Sequence, residues 1–372
     1  MPARHLYVHV PFCARRCSYC DFAIAVRRVV PVEAYLRALH AEIETRFSGR
    51  EREEVETIYL GGGTPSRLGA EGVERLLALL ARYWRRAAGA EITLEANPED
   101  VDDAAARAWR AAGVTRVSLG VQSFDDRVLA WMHRSHDARR AVDAARTLTG
   151  AGFDDWSVDL IFALPAELGR DWARDLEQAL ALAPPHVSAY GLTVEARTPL
   201  ARWHDRGLVC GAGEETWEAE FRAAHETLSA AGYEHYEVSS HARPGHRARH
   251  NAAYWARVPY IGLGPGAHGF DGQVRRWNER EFAAWQRRAT AGEDPVAGQE
   301  RLAAADVALE ELYLGLRSTL GVHVGAVDRL EIDRWRGEGW AELRGDRIRL
   351  TTAGWLRLDA LVASLTSRRS RL

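Results

Sequence analysis

Residues 6–20 read LYVHVPFCARRCSYC, and this stretch joins a short apolar run to three closely spaced cysteines. The run Leu6–Val10 is typical of a buried parallel strand. Cys13, Cys17 and Cys20 follow with the spacing C-x3-C-x2-C, and only one other cysteine occurs in the chain. A loop with this spacing can bring its thiolates around one metal centre. Three ligands are one fewer than a closed zinc site or a four-iron cluster takes, so the spacing predicts a metal with an open position.

Outward from this stretch, short apolar runs alternate with segments of helical period. The predicted strands are Leu6–Val10, Thr57–Leu60, Ile92–Ala96, Arg116–Leu119, Trp156–Ile161 and His186–Tyr190. The predicted helices are Pro31–Phe47, the stripe Val73, Leu76, Leu77, Leu80 and Trp84, then Asp103–Ala112, Asp137–Ala151 and Arg170–Ala183. Repeated strand–helix units favour an α/β fold with a parallel sheet. Six such units predict a partial (β/α)6 barrel, similar to a TIM barrel but two units short.

The pattern changes near residue 198, which suggests three units: 1–197, 198–298 and 299–372. The second contains a helix over Glu214–Ala231 and then short extended pieces, as expected for a second layer attached to the barrel. The third contains a helix over Ala303–Arg317, a hairpin over Trp340–Thr351 that turns at Gly345-Asp346, and a final helix. Helices with a hairpin predict a small winged-helix-like domain.

Composition narrows the classes of function. A net charge of −3 over 372 residues gives no basic footprint, so nucleic-acid binding is not expected. No apolar stretch reaches the length of a transmembrane segment, and the first residues lack the apolar region of a signal peptide. Three crowded cysteines do not resemble a disulfide framework. These features predict a cytoplasmic protein, in which Cys210 is a small buried apolar residue.

Unusual residues follow each predicted strand, at the edge where parallel barrels carry their active sites. They are Gly61-Gly62-Gly63-Thr64-Pro65-Ser66, Glu95-Ala96-Asn97-Pro98, Gly120-Val121-Gln122-Ser123, Asp159 with Leu164-Pro165, and Leu192-Thr193. Each has a structural alternative, such as a tight turn for the glycines. Asp159 lies inside an apolar strand and needs a partner, for which Arg134 is a candidate. For the cysteines the alternative is structural zinc, with His5 or His9 as fourth ligand.

With these motifs, the chain resembles the radical S-adenosylmethionine (SAM) enzymes, which share the C-x3-C-x2-C loop. In that family the three cysteines hold a [4Fe-4S] cluster, and the methionyl amine and carboxylate of SAM chelate the free iron. Electron transfer from the cluster cleaves the sulfonium and generates a 5'-deoxyadenosyl radical. The resemblance implies that Cys13, Cys17 and Cys20 are cluster ligands here.

A narrower resemblance, to the oxygen-independent coproporphyrinogen III oxidase group, covers most of the chain. It is carried by Tyr7–Cys13, Gly61–Ser66, Glu95–Pro98, Leu119–Phe124 and Asp159–Ile161. It implies that Tyr7 and Tyr19 flank the cofactor and that Gly62, Gly63 and Thr64 hold its methionine end. By the same resemblance, the remainder of the SAM pocket is formed by Glu95, Gln122, Arg134, Asp159 and Thr193. Glu95 and Arg134 suit an amine and a carboxylate, respectively.

Within this group, three features are similar to the heme chaperone subgroup rather than to the oxidase. Phe22 stands where the oxidase has a fourth cysteine, only six residues precede Tyr7, and residues 250–255 read HNAAYW. The resemblance implies heme binding at His250, delivery of heme to hemoproteins such as respiratory enzymes, and homodimerisation. A neutral imidazole is a good ligand for heme iron. The alternative is the enzyme itself, which oxidatively decarboxylates coproporphyrinogen III to protoporphyrinogen IX.

Overall fold

A nine-stranded sheet forms the centre of the computed structural model, which describes residues 3–369. We number its strands in chain order: β1 His5–Val10, β2 Glu53–Gly62, β3 Trp84–Ala96, β4 Arg116–Gln122, β5 Trp156–Phe162, β6 His186–Gly191, β7 Glu234–Glu237, β8 Ser240–Ala242 and β9 Ile261–Leu263. Strands β1 to β6 lie side by side in chain order and are parallel. All six predicted strands are therefore confirmed, although Glu53–Gly62 and Trp84–Ala96 begin well before the predicted Thr57–Leu60 and Ile92–Ala96.

The sheet is extended at both edges by the segment after residue 198. Strand β9 adds to β1 in parallel, and the antiparallel pair β7–β8 adds to β6. Within residues 3–369 no ladder joins β9 to β7, so the architecture is an open barrel, as predicted. Because three of its strands belong to the main sheet, the second predicted unit is closely integrated with the first. The division at residues 197/198 and 298/299 stays a prediction.

Helices connect the parallel strands and cover the outside of the sheet. They are α1 Val32–Phe47, α2 Gly69–Ala81, α3 Asp103–Ala112, α4 Asp126–Trp131, α5 Ala138–Gly150 and α6 Trp172–Ala181. Side chains such as Leu39 and Ile43 of α1 and Leu76 and Leu80 of α2 are fully or almost fully buried against the strands. The prediction that Trp84 continues the stripe of α2 is wrong. The helix ends at Ala81, and Trp84 begins β3, where it packs against Phe47.

The remaining helices are α7 Pro199–Asp205, α8 Glu214–Ala230, α9 Arg249–Trp255, α10 Phe282–Thr290, α11 Ala304–Leu316, α12 Arg329–Gly337, α13 Thr352–Trp355 and α14 Leu358–Arg369. Short strands outside the main sheet are Phe12–Cys13, Ala25–Val26, His268–Phe270, Val274–Asn278, Val296–Arg301, Val322–His323, Ala341–Arg344 and Arg347–Leu350. Four 3-10 turns complete the chain, at Pro65–Leu68, Pro98–Asp100, Ala166–Leu168 and Val324–Ala326. The last two strands form the predicted hairpin, turning at Gly345-Asp346, between α12 and the final helices. None of the helices in the described part of the chain has the length and apolarity needed to cross a membrane.

Candidate metal and cofactor site

A cavity of about 490 Å³ opens where strands β1 to β6 end. Every residue that the sequence predicts for the site lines it, except Tyr7 and His250. Those that line it are Cys13, Cys17, Tyr19, Cys20, Gly62, Gly63, Thr64, Glu95, Gln122, Arg134, Asp159 and Thr193. Parallel strands bring their carboxyl ends to one edge, and this edge carries both the thiols and the polar side chains.

The three thiols of the loop are free and partly buried. Thr64 donates its hydroxyl proton to Cys13 Sγ at 3.5 Å, and Arg134 Nη1 donates to Cys17 Sγ at 3.5 Å. Within residues 3–369, the three sulfurs are not all within 4.8 Å of one another. Two thiolates on one zinc ion, each about 2.3 Å from the metal, stand at most about 4.6 Å apart. A four-iron cluster places each thiolate on a different iron, so its ligands need not lie that close.

His9, one of the two candidates for a fourth zinc ligand, has both ring nitrogens engaged, and His5 has one engaged. His9 Nε2 lies 2.8 Å from the Ala23 carbonyl oxygen, and its Nδ1 lies 3.0 Å from the Tyr7 hydroxyl. Burial lowers the pKa of His9 to about 4, so this imidazole is neutral and packed inside the protein. His5 Nδ1 pairs with Thr57 Oγ1 at 2.9 Å. The donor set therefore fits an iron–sulfur cluster with three protein ligands better than closed zinc.

Arg134 carries positive charge to the cysteine loop. Its Nη2 donates to Asn97 Oδ1 at 2.6 Å and to the Gly120 carbonyl oxygen at 2.8 Å. Its Nε is buried and has no hydrogen-bond partner among the described residues. A buried guanidinium N–H without an acceptor is costly, so a ligand carboxylate is a natural complement. The predicted pairing of Arg134 with Asp159 is wrong, since Arg134 is held by the ends of β3 and β4.

Glu95 forms the acidic side of the cavity. Its carboxylate accepts the Tyr59 hydroxyl proton at 2.8 Å and the Gly62 N–H at 2.9 Å. Burial raises the pKa of Glu95 to about 7, although both hydrogen bonds favour the ionised form. An amine group of a ligand beside this carboxyl would favour its ionised form. Glu95 and Arg134 thus offer one anionic and one cationic group to a zwitterionic ligand.

Asp159 is held by serines instead of by an arginine. Ser118 donates to Asp159 Oδ2 at 2.7 Å and Ser157 to Oδ1 at 3.2 Å. Burial raises the pKa of this carboxyl, and the serine hydrogen bonds oppose the rise. The hydroxyl groups satisfy the buried oxygens, as burial of a carboxyl requires. This carboxyl belongs to the wall of the same cavity.

Backbone conformation at two strand ends is unusual. Gln122 has φ of +72°, the left-handed region that non-glycine residues rarely adopt, at a bulge between β4 and β5. Gly62 has φ of +115°, and a Cβ there would lie 2.5 Å from the His9 ring. The glycine turn is therefore needed for packing against β1 as well as for lining the cavity. Strained backbone of this kind is frequent at functional sites.

Tyr7 and His250 lie behind the cavity. Tyr7 stacks on Tyr59, with ring centroids 6.1 Å apart. His250 lies in α9 and is only 1% exposed. Its Nδ1 pairs with Thr57 Oγ1 at 2.7 Å, its Nε2 pairs with the Tyr254 hydroxyl at 2.9 Å, and burial lowers its pKa to about 3. The ring is a neutral imidazole with both nitrogens engaged.

Tyr59 was not singled out from the sequence, and Asn97 was noted at the strand end without a role. Tyr59 is hidden in an apolar strand, yet its hydroxyl holds Glu95. Asn97 follows Glu95 and orients Arg134. Alternation along β2 offers one signal, because Tyr59 faces the same side of the sheet as Gly61. The partner of Asn97 depends on how the loop after α4 folds back, which local sequence does not show.

Comparison with known proteins identifies the family of this chain. Residues 7–179 match the model of the Radical SAM superfamily. The chain is 39% identical over 366 residues to the Mycobacterium tuberculosis protein named heme chaperone HemW, covering 97% of this chain and 94% of that protein. This chain belongs to the HemW family of radical SAM proteins. The Escherichia coli heme chaperone HemW is 38% identical over 281 residues, which cover 74% of this chain and 73% of the relative.

A solved structure confirms the fold. The coproporphyrinogen III oxidase HemN of Escherichia coli, described as a radical SAM enzyme, superposes with a TM-score of 0.80 at 21% identity. The superposition covers 98% of this chain and 91% of HemN. The HemW family and HemN thus share one architecture, and the predicted α/β radical SAM fold is correct.

Proposed function

We propose that this chain is a heme chaperone that binds a [4Fe-4S] cluster through Cys13, Cys17 and Cys20, SAM in the adjoining cavity, and heme at His250. One observation carries the proposal: the three thiols line a cavity that is also lined by Arg134 and Glu95, both partly buried. A cluster bound by three thiolates supplies one iron with a free coordination position. Membership of the HemW family supports the heme function.

The residues of the cavity divide the task of binding SAM. The unpaired Nε of Arg134 would donate a hydrogen bond to the carboxylate of SAM. The Glu95 carboxylate would accept a hydrogen bond from the methionyl amine. Tyr59 and the Gly62 N–H fix the Glu95 carboxylate, and Asn97 fixes the guanidinium, so both charges are preorganised. Gly63, Thr64, Tyr19, Gln122, Asp159 and Thr193 form the remaining walls. Tyr7 supports this site from behind, through its stack on Tyr59.

Heme binding at His250 requires a local rearrangement. The imidazole is neutral, as an iron ligand must be, but Tyr254 occupies Nε2 and Thr57 occupies Nδ1. The Glu91 carboxylate accepts the N–H groups of Arg249 and His250, both at 2.9 Å, and so fixes the start of α9. The end of α9, which carries Tyr254, is therefore the part that moves to free Nε2 for iron.

Delivery of heme defines the partners. Recipient hemoproteins, with respiratory enzymes among them, take the heme from this chain in the cytoplasm, and the chain acts as a homodimer. A cytoplasmic chaperone can meet membrane-bound recipients at the inner face of the membrane. The alternative function is the reaction of HemN, oxidative decarboxylation of coproporphyrinogen III.

The decisive experiment titrates the cluster-loaded protein with heme and with coproporphyrinogen III side by side, without oxygen. We expect saturable heme binding, transfer of that heme to an apo-hemoprotein, and no decarboxylated product when SAM and a reductant are present. Turnover of the porphyrinogen to protoporphyrinogen IX would establish the oxidase instead. Heme that stays bound in the presence of an apo-hemoprotein would contradict the chaperone function.

A further inference from the structure

A second group of metal-binding side chains lies away from the cavity. It consists of His225 on α8, His235 on β7 and His241 on β8, and we call it the histidine cluster. One ring nitrogen from each histidine can be chosen so that all lie within 4.8 Å of one another. His235 and His241 are register partners across the antiparallel pair, and their rings stack with centroids 3.8 Å apart. Helix α8 brings His225 against this pair.

His241 is the residue that hydrogen bonding leaves unexplained. Its side chain is 1% exposed, and within residues 3–369 neither Nδ1 nor Nε2 has a hydrogen-bond partner. A neutral imidazole has one donor and one acceptor, and leaving both unmet inside a protein is unfavourable. An unpaired buried polar group calls for an explanation, and a bound ion is one of them.

His235 is oriented as a metal ligand would be. Its Nε2 lies 3.2 Å from the Val238 carbonyl oxygen, and its Nδ1 lies 3.0 Å from His225 Nδ1. When Nε2 donates its proton to the carbonyl, Nδ1 presents a lone pair to the cluster. Metal-binding histidines characteristically donate their second N–H to such an acceptor, which fixes the tautomer and the plane of the ring.

We infer that the histidine cluster is a binding site for a divalent transition-metal ion of the zinc class, held by one nitrogen from each of His225, His235 and His241. Nitrogens that share one zinc ion at about 2.0–2.1 Å stand at most about 4.2 Å apart. The His225–His235 pair, at 3.0 Å, already meets this limit, whereas the His241 ring, which stacks on His235, has to turn so that one of its nitrogens faces the same ion. The fourth position is open to water.

The environment suits neutral nitrogen ligands. His235 and His241 are buried. His225 is half-buried at the surface of α8 and gives an ion a route in. This site is separate from the cysteine loop, and the inference does not depend on the proposed function.

Its position suggests what the ion does. It would join α8 to the β7–β8 pair at the edge of the main sheet. Trp355 of α13 packs edge-on against His235, with centroids 4.5 Å apart, and its Nε1 donates to the Leu316 carbonyl oxygen at 3.0 Å. An ion that fixes the His235 ring therefore also fixes the surface on which the C-terminal helices rest. The site is structural, and its occupancy stabilises the fold.

The test compares full-length variants after equilibrium dialysis against Zn²⁺, followed by metal analysis. His225 is only half-buried on a helix, so the variant His225→Gln is expected to fold. We expect His225→Gln to bind one zinc ion fewer than the parent, whatever the cysteine loop holds. Its affinity for that ion should fall more than about 100-fold, which exceeds the effect of losing a residue that only hydrogen-bonds to a metal ligand. His241→Phe should lose the same ion. The matched control is His204→Gln, an exposed histidine on α7, which should bind as much zinc as the parent.

Thermal unfolding gives a second readout. Zn²⁺ should raise the unfolding temperature of the parent and of His204→Gln by more than that of His225→Gln, since an ion that binds only the folded state stabilises it. Equal zinc content in the parent and in His225→Gln would overturn the inference. So would an equal rise in unfolding temperature for both proteins.

Discussion

The Glu95 carboxylate accepts the backbone N–H of Gly62 at 2.9 Å, and this contact ties the end of β3 to the glycine turn after β2. It places a buried acid beside the thiol loop, with its geometry set by backbone. Burial holds the pKa of Glu95 near 7, so the acid is poised to change charge within the physiological range. Because Glu95 is proposed to pair with the methionyl amine, the change in its charge should alter the affinity for SAM.

Binding of SAM to the cluster-loaded protein should strengthen as pH rises through about 7. The pKa of Glu95 is raised, so the carboxyl is neutral below that pH and gains its charge above it. Affinity measured by anaerobic calorimetry should fall up to about tenfold per pH unit on the acid side. The variant Glu95→Gln should bind more weakly and should lose this acid-side dependence. An unchanged slope in Glu95→Gln would show that another group titrates.

Arg134→Gln should weaken SAM binding without removing the cluster ligands. A hydrogen bond to a charged group contributes about 2 kcal/mol, which corresponds to roughly a thirtyfold change in Kd. The matched control is Arg127→Gln, because that arginine is 71% exposed and pairs only with nearby Asp125 in the described contacts. Iron analysis must accompany the titration, since Arg134 also contacts Cys17. Equal Kd values for the two variants would remove Arg134 from the SAM site.

Gly62→Ala should destabilise the fold. The residue combines φ of +115° with the His9 ring only 2.5 Å from the position of a new Cβ. Backbone strain and overpacking together predict a loss of about 2–4 kcal/mol in the free energy of unfolding, measured with urea. Gly150→Ala is the control, because Gly150 ends α5 and has no described atom within 4 Å of its Cβ position. If Gly62→Ala lowered the free energy of unfolding no more than Gly150→Ala does, the packing explanation would be contradicted.

Tyr254→Phe and His250→Ala separate the two roles within α9. Because Tyr254 occupies His250 Nε2, removing its hydroxyl should leave heme binding intact and make it faster. His250→Ala should release heme while iron and sulfide of the cluster stay unchanged. Stopped-flow absorbance with heme measures both effects. Weaker heme binding by Tyr254→Phe would identify the phenol as a ligand, and undiminished binding by His250→Ala would exclude the imidazole.

The parallel sheet could be predicted because each of its strands is a nearly continuous apolar run between polar segments. Trp84 shows the limit of periodicity. It lies four residues after Leu80, which fits a helical stripe, but the helix ends at Ala81 and the ring packs from the first position of β3. Cys210 shows another limit. A lone cysteine suggested burial, yet it is exposed in the connection between α7 and α8.

The contents of the cavity could be predicted because every strand ends at the same edge. The pairings inside it could not, since they depend on distances between strand ends that no local pattern encodes. Arg134 donates hydrogen bonds to Asn97 and Gly120 instead of Asp159. Asp159 accepts hydrogen bonds from serines of β4 and β5. The histidine cluster was missed for the same reason. Its members are ordinary in sequence and meet only through the β7–β8 register and the packing of α8.

The electron paramagnetic resonance spectrum of the reduced, reconstituted protein tests the central claim most directly. We predict about four irons and four sulfides per chain, and a spectrum that changes when SAM is added, because SAM binds the iron that lacks a protein ligand. Cys17→Ser should lose this signal, whereas Cys210→Ser, which alters an exposed thiol, should keep it. A spectrum that SAM leaves unaltered, or a colourless protein that holds stoichiometric zinc in the cysteine loop, would contradict the claim.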